Sequence, residues 1–386
     1  MKSQSSDQSI LPGAVIGVLG GGQLGRMFAL EARAMGYKIH VYSPEMDAPA
    51  GQIADIEVVG QYEDEEKLTH FVKGVAALTF EFENVSAVAT SLAEKYVPVR
   101  PGGNVLHISQ HRLREKTFLQ SNGFPVTGFR SINSLAELEA AAAQLGIPAV
   151  LKTAGFGYDG KGQVKIKAIS ELPSAWKAMN GAESVYEAFV DFEKEVSVIA
   201  ARNAKGDFAA YPVFENSHAN HILDVTFCPA AIPAASAAEA VTITRGILEK
   251  LEVVGLLTVE FFVTKSGKLL VNELAPRPHN SGHLTMDACV TSQFEQQLRA
   301  VCNLPLGDTS LLAPAAAMAN LLGDVWAHGI PNWGAALDDS QVKLHLYGKA
   351  EPRAGRKMGH FNVAGHSIQE AVAKVSKARS LAQGVK

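Results

Sequence analysis

The sequence predicts a chain of mixed α/β and α+β class in three parts. These are an N-terminal parallel-sheet domain over about residues 12–110, a middle domain over about 111–310, and a small β-rich C-terminal domain over about 311–386. Three stretches carry the prediction. A strand, glycine loop, helix and strand follow one another from Ala14 to Tyr42. A glycine-rich segment, Gly155–Gly162, separates two runs that read as antiparallel strands. A hairpin within Leu256–His283 sets two acids, Glu260 and Glu273, on otherwise mainly apolar strands.

In the first part, Ala14–Leu19 is a short apolar run of the kind buried in a parallel sheet. Gly20-Gly21-Gly22-Gln23-Leu24-Gly25 follows, then a helical run, Arg26–Met35, closed by Gly36, and a second strand, Lys38–Tyr42. Gly20, Gly22 and Gly25 spell G-x-G-x-x-G, and backbone N–H groups at such a helix start can hold an anion. Three readings stay open: a dinucleotide site, a plain turn, or a site for an anion or polar substrate group with Gln23 as a donor. An NAD-binding acid belongs at the end of the second strand, but Glu45 comes late there, behind Pro44. Val75–Phe82 is a further strand. Glu81-Phe82-Glu83-Asn84 at its carboxyl end falls where open α/β sheets bind ligands, so Glu81 or Glu83 is a candidate substrate contact, with a solvated loop acid as the alternative. Val97–Gly103 ends the domain.

The middle part opens with a polar helix, Ser109–Asn122, bearing Arg112, Arg114 and Lys116. Ser134–Glu137 is a capping box that starts an Ala-rich helix closed by Gly146, and Ile147–Thr153 is a strand containing Lys152. Gly155–Gly162 nearly spells a Walker A loop, yet Gly162 stands where the hydroxyl belongs, and Gln163–Lys167 alternates like a strand. The segment reads as a flap, in a subdomain over about 123–190, able to close on phosphates with its N–H groups and Lys161; a mobile hairpin tip is the other reading. Ser184–Val190 and the stretch from Phe192 to Val198 are strands. Glu187 and Glu195 bracket an apparent edge strand and are candidates for an adenine amine and a ribose. His218 and His221 form H-x-x-H without a third ligand, too few for zinc. Ala237–Leu251 is an amphipathic helix leading into the hairpin.

Leu257–Thr264 and Leu269–Leu274 are the hairpin strands. With Ser266-Gly267 as a two-residue loop, Glu260 lies opposite Glu273. Directly opposed residues are about 5 Å apart and like charges there destabilise. At an effective dielectric of about 20 the repulsion is roughly 3 kcal/mol. A cation between them removes it, and two carboxylates on stiff strands suit Mg²⁺ carrying nucleotide phosphates. A slipped register with both acids in water is the alternative. In the last part, Ala315–Leu322, Val342–Tyr347 and a stretch near Gly359–Val363 are strands, Ile368–Leu381 is an amphipathic helix, and Gly348–Lys357 is a basic turn with Lys349, Arg353, Arg356 and Lys357.

Composition excludes several classes. The chain's net charge of −4 gives no basic footprint for nucleic acid. No stretch approaches the roughly 20 apolar residues of a membrane span. Cys228, Cys289 and Cys302 are scattered without CxxC, which points to a reducing cytoplasm.

The ensemble of Lys152, the flap, Glu187–Val190, Glu195 and the hairpin acids resembles the ATP-grasp superfamily. GGGQLGRM (Gly20–Met27), GYDGKGQ (Gly157–Gln163), FEKEVSV (Phe192–Val198), NELAPRPHNSGH (Asn272–His283) and YGK…GRKMGH (Tyr347–His360) occur in this order. Together they resemble the N5-carboxyaminoimidazole ribonucleotide synthetase family, over about 14–365. The resemblance implies an ATP-grasp fold with a Rossmann-like N-terminal domain. It implies a cytoplasmic homodimer that uses ATP, Mg²⁺ and bicarbonate to carboxylate aminoimidazole ribonucleotide through carboxyphosphate.

Carried over by position, Arg112 and Lys152 match phosphate-side ATP contacts, and Gly157, Tyr158, Asp159, Gly160, Lys161, Gly162 and Gln163 match the flap over ATP. Glu187, Ala188, Phe189, Val190 and Glu195 match adenine and ribose contacts. His218, Asn272 and Glu273 match further nucleotide positions, and Glu260 and Glu273 match the metal ligands. Arg277, His279 and Asn280, with Lys161, match the catalytic positions at bicarbonate. Gln23, Glu81, Tyr158, Asp159, Arg277, Lys349 and Arg356 match the ribonucleotide side. Another ATP-grasp ligase acting on a purine-pathway ribonucleotide, and an NAD-dependent oxidoreductase, are the competing readings.

Overall fold

Parallel pairing sets the N-terminal layer. Val15–Leu19 runs parallel to Lys38–Ser43 on one side and to Ala77–Phe80 on the other, and Ile56–Val59 adds the outer strand beyond Lys38–Ser43. Ile16, Leu19, Ile39 and Val41 are fully buried. Strands covered on both faces need no polar alternation, hence the unbroken apolar run in the sequence. Helix Gln23–Ala34 sets Met27, Phe28 and Ala32 into a core shared with Phe294 and Leu298 of helix Gln293–Val301, so the N-terminal layer is packed against the middle part. The computed structural model describes residues 8–155 and 162–384.

The flap region has its own sheet, in the order Phe129–Ile132, Ser184–Ala188, Ala149–Thr153, Gln163–Ile166, with every pairing antiparallel. Lys152 pairs with Gln163, the antiparallel return that the alternation of Gln163–Lys167 predicts. Helices Leu135–Leu145 and Leu172–Ala178 bury Leu138, Ala141, Leu172 and Ala175 against this sheet. Ser134 caps the first through its Oγ, which accepts the Glu137 N–H at 3.2 Å. The Glu137 carboxylate takes the N–H of Asn133 at 2.6 Å rather than that of Ser134.

The larger sheet is nine-stranded and antiparallel throughout. Its path is Leu269–Ala275, Gly255–Thr264, Phe192–Arg202, Phe214–Ala219, Ile222–Cys228, Ala315–Leu322, Lys357–Gly365, Lys343–Leu346, with Phe208–Ala210 paired beside Phe192–Arg202. It therefore continues from the middle part into the C-terminal part through pairs such as Val225 with Ala319. Helix Ile368–Ala382 covers that end with Ala371, Val375 and Ala378. One expectation changes here. Ser184–Ala188 is internal to the flap sheet and Phe192–Arg202 is internal to the large one, so Glu187 and Glu195 do not bracket an edge strand; they stand on two different sheets.

The hairpin reaches its expected pairing by an unexpected route. Thr264 N–H donates to Lys268 O at 2.9 Å and Gly267 N–H to Thr264 O at 2.8 Å, with Gly267 at φ +79°. The loop is thus Lys265-Ser266-Gly267, a turn followed by a left-handed residue, and not the two-residue loop Ser266-Gly267. The longer loop shifts the register by one, as in Phe261 opposite Val271. A bulge at Asn272 then restores it, so that Glu260 faces Glu273. The bulge has a second effect. Consecutive Asn272 and Glu273 both face the cleft, while Val271 and Leu274 on either side both lie in the core.

A Cβ on Gly267 would meet nothing within 4 Å, so substitution there tests backbone conformation alone. We expect Gly267→Ala to cost about 1–2 kcal/mol, read as a lower thermal midpoint, and Gly267→Asn to cost less, since Asn tolerates the left-handed region. An unchanged midpoint in the Ala variant would contradict the three-residue loop.

Candidate active site

A single cleft of about 1310 Å³ gathers side chains from all three parts of the chain. The N-terminal layer contributes Gln23, Glu81 and Glu83. Arg112 comes from helix Arg112–Ser121, and Lys152, Gln163 and the stretch Glu187–Val190 come from the flap sheet and its exit. The large sheet contributes Glu195, His218, Glu260, Asn272 and Glu273, and the loop after it Arg277, His279 and Asn280. The C-terminal part contributes Lys357. Gly162, Lys349 and Arg356 do not line the cleft. Gly157, Tyr158, Asp159, Gly160 and Lys161 lie outside the described residues.

At the cleft floor the opposed carboxylates have their expected electrostatic problem. Burial, and then the neighbouring Glu273, push Glu260 up to about 8. His279 Nε2 stands 3.1 Å from Glu260 Oε1. Burial, then Arg277 and Lys357, hold that imidazole well below its ordinary range, so the contact is a close approach of ring and carboxyl group rather than an ion pair. Among the described residues no three His, Cys, Asp or Glu side chains converge as a cage. The hairpin instead offers two facing carboxylates short of positive charge.

The strand that carries Glu273 is the edge of its sheet, and outward backbone groups on an edge need partners. Val271 N–H donates to Pro125 O at 2.7 Å, Leu274 N–H donates to Glu115 Oε2 at 2.9 Å, and Lys116 Nζ donates to Asn272 O at 3.4 Å. Burial raises Glu115 to about 8 against the opposing pull of Lys116. Lys116, 2% exposed, also stands 3.4 Å from Glu187 Oε1, whose other oxygen accepts from Lys152 Nζ at 3.0 Å. Burial opposes the charge of Glu187, but Lys116 and then Lys152 outweigh it and lower its pKa. Lys116 thereby joins the acid-bearing hairpin to the flap sheet. The sequence placed Lys116 on the polar helix without a role, and Glu115 went unnamed. The available signal was their spacing to Leu119, which puts all three on one buried helix face.

The glycine loop is filled by the chain itself. Glu81 Oε1 accepts from Gly22 N–H at 2.5 Å and Oε2 from Gly25 N–H at 3.0 Å. A Cβ on Gly22 would stand 2.4 Å from Glu81 Oε1, so glycine there makes room for the carboxylate. The group on these donors is therefore Glu81, at the place where a dinucleotide or a substrate anion was one of the open readings. Glu83 instead meets Arg277: guanidinium Nη2 donates to Oε1 at 2.8 Å and Nε to Oε2. Burial works against both charges, yet the pairing lowers Glu83 and raises Arg277.

Glu195 Oε2 lies 2.5 Å from His218 Nδ1. Burial disfavours the imidazolium, but the Glu195 bond outweighs it and raises His218. Asn280 is 9% exposed, and among the described residues neither its amide oxygen nor its nitrogen is bonded. In the basic turn, Lys349 Nζ donates to Lys357 O at 2.7 Å and Arg356 Nη1 to Glu351 O at 2.8 Å. Lys357 is the member that reaches the cleft, a residue the sequence placed in the turn but not in the site.

Comparison with known proteins agrees with this architecture. Residues 14–110 match the ribonucleotide synthetase preATP-grasp domain, 117–294 the ATP-grasp domain, and 316–374 the phosphoribosylaminoimidazole carboxylase C-terminal domain. The N5-carboxyaminoimidazole ribonucleotide synthase of Bacillus subtilis is 43% identical over 360 residues, 92% of this chain and 93% of that one. That of Brucella melitensis is 44% identical over 354 residues, covering 91% and 96%. A crystal structure of an ADP complex of an N5-carboxyaminoimidazole ribonucleotide synthetase matches with a TM-score of 0.91 at 43% identity, covering 96% of this chain and 97% of that one. The Aspergillus clavatus N5-carboxyaminoimidazole synthase, in complex with ADP and 5-aminoimidazole ribonucleotide, matches at 0.88 with 27% identity, covering 98% and 100%.

Two outcomes test the buried charges. Lys116→Met leaves Asn272 O bare and Glu187 with Lys152 alone, and is expected to cost about 3–5 kcal/mol. Adding Glu187→Gln should return part of that loss in a double-mutant cycle. For Glu115, the folded value near 8 lies above the ordinary 4.5. Between those values the folded chain keeps a proton that the unfolded chain releases, so its contribution to stability is present below about 4.5 and is lost as pH rises through about 8. Glu115→Gln should reduce that slope in thermal unfolding measured against pH without added metal; an unchanged slope would contradict the assignment.

Proposed function

We propose residue roles from one premise: this chain belongs to the family of N5-carboxyaminoimidazole ribonucleotide synthases. It is an ATP-dependent ligase of purine biosynthesis that carboxylates 5-aminoimidazole ribonucleotide to N5-carboxyaminoimidazole ribonucleotide. The observation that carries the site assignment is the in-register pair Glu260 and Glu273, with Glu260 pushed up to about 8 by burial and then by Glu273.

That donor set suits Mg²⁺, which prefers one or two carboxylates together with substrate phosphates and water. Mg²⁺ on Glu260 and Glu273 would supply charge neutralisation at the transferring phosphoryl group. Arg112 and Lys152 face the same cleft and neutralise the remaining phosphate charge. The bulge residue Asn272, the exit stretch Glu187-Ala188-Phe189-Val190, and the Glu195–His218 pair hold the nucleoside end.

Bicarbonate is a small planar ion with both acceptor oxygens and a hydroxyl donor. The unpartnered amide of Asn280 has a donor and an acceptor for it in the cleft wall. Arg277, steadied by Glu83, presents positive charge beside it, where carboxyphosphate gathers negative charge. Glu81 acts on the ribonucleotide indirectly: it clamps the glycine loop, and Gln23, between the two bonded glycines' N–H groups in sequence, faces the cleft. Lys357 takes the ribonucleotide's phosphate from the cleft side, with Lys349 and Arg356 behind it. Gln163 lines the cleft; by resemblance alone, positions Gly157–Lys161 and Gly162 are assigned to ATP, and Tyr158 and Asp159 to the ribonucleotide as well, around an intermediate that water destroys.

We place the enzyme in the cytoplasm as a homodimer. The cysteines are free and buried, as a reducing compartment allows, and among the described residues no helix is long and apolar enough to cross a membrane. ADP release from ATP and bicarbonate, with and without aminoimidazole ribonucleotide, tests the assignment. Glu273→Gln should lower ribonucleotide-dependent ADP release by about 100-fold or more, the equivalent of about 2.7 kcal/mol of barrier. A variant that folds and keeps wild-type release would remove Glu273 from the metal.

A further inference from the structure

We propose that four buried side chains, Thr226, Asn216, Ser197 and Ser281, lock His279 in the tautomer that carries its proton on Nε2. His279 is then a hydrogen-bond donor to the cleft and not a base. The functional consequence rests on the carboxylation reading above; the tautomer itself does not.

The four form a string. Thr226 Oγ1 lies 3.0 Å from Asn216 Oδ1, Asn216 Nδ2 lies 3.0 Å from Ser197 Oγ, Ser197 Oγ lies 2.8 Å from Ser281 Oγ, and Ser281 Oγ lies 2.9 Å from His279 Nδ1. Thr226, Ser197 and Ser281 are wholly buried and Asn216 is 8% exposed, so bulk water does not reorient the hydroxyls. Three adjacent strands of the large sheet carry the first three, and the loop after the hairpin carries Ser281.

A string of hydroxyls can run in either direction, and one end decides. The backbone N–H of Ser281 donates to His279 Nδ1 at 3.3 Å. A backbone N–H cannot reverse, so Nδ1 must present its lone pair. Were Nδ1 protonated, two hydrogens would face each other there. With Nδ1 an acceptor, Ser281 donates to it, Ser197 donates to Ser281, the Asn216 amide nitrogen donates to Ser197, and Thr226 donates to the amide oxygen. Every member of the string then gives one proton and no acceptor goes unmet.

With Nδ1 held unprotonated by the Ser281 N–H, the ring's proton is on Nε2, 3.1 Å from Glu260 Oε1. That nitrogen faces the cleft with a hydrogen and no lone pair. It is available as a donor to an oxygen of bound substrate or, with a small reorientation, to the nearby hairpin carboxyl group. It cannot remove a proton from an amine in the cleft. Ser281, Ser197, Asn216 and Thr226 are positioning residues that act through the ring.

The test is the nitrogen NMR signature of the full chain with ¹⁵N-labelled histidine, without nucleotide, the His279 signals being assigned by their loss in His279→Gln. The expected spectrum shows the Nε2–H tautomer with an acceptor Nδ1. A protonated Nδ1, alone or in an imidazolium, overturns the proposal. Ser281→Ala should shift the signals toward a tautomer mixture and Ser281→Thr should restore them; an unchanged spectrum in Ser281→Ala overturns the role of the string. In turnover, His279→Gln keeps a donor and lacks a base, and should exceed His279→Ala at least about ten-fold in ribonucleotide-dependent ADP release. Equal loss in both, with both folded, overturns the donor role. The spectrum is read without substrates, so its failure leaves the carboxylation reading standing, and absent turnover in the wild type leaves the tautomer standing.

Discussion

Two carboxylates facing each other across neighbouring strands cannot both be charged, buried and unaccompanied. The rest of the site answers to that constraint. Glu260 and Glu273 are brought into register by a bulge that cancels an extra loop residue, and the same bulge turns Asn272 into the cleft beside them. Repulsion between like charges would ordinarily open a sheet edge. Here the edge is braced from outside by Glu115, Lys116 and Pro125. The pair is thus held in register rather than relaxed by a slip of the strands, and on the proposed reading that keeps it available to a divalent ion.

A second theme is that the chain uses its own acids where a ligand might be expected. Glu81 fills the anion cradle of the glycine loop, and Glu83 takes the fork of Arg277. Both fix backbone or side chain in place before substrate arrives, which is how electrostatic catalysis avoids reorganisation during the reaction. The glycine pattern has the form of a nucleotide fingerprint, but its donors point at the protein's own carboxylate.

Legibility in the sequence followed the range of the interaction. The opening βαβ unit, the Ser134 cap, the antiparallel strands flanking the glycine-rich segment and the two hairpin acids rest on neighbours a few residues apart, and pattern alone exposed them. The facing of Glu260 and Glu273 was also legible, though the assumed two-residue loop was one residue short and the unseen bulge made up the difference. What stayed hidden depends on distant partners. Lys116 matters because Asn272 and Glu187 come to it from strands far along the chain. Glu81 turns inward because glycines some sixty residues earlier leave it room. Lys357 rather than Lys349 or Arg356 reaches the cleft because it begins a strand paired to Ala315–Leu322. No local pattern encodes these.

The nine-stranded sheet has a consequence for how such a chain can change over generations. Its three C-terminal strands are not an appended module but the far end of the lattice whose opposite end carries the acid pair. Exchanging that end by recombination would strip the pairing partners from Ile222–Cys228 and Ala315–Leu322 at once and leave two apolar strand edges bare, a template for aggregation. The flap sheet is hydrogen-bonded as a separate unit and escapes that penalty. Exchange of the flap sheet as a unit therefore costs no strand pairing, whereas the strands from Leu269–Ala275 to Lys343–Leu346 are constrained to be inherited as one piece.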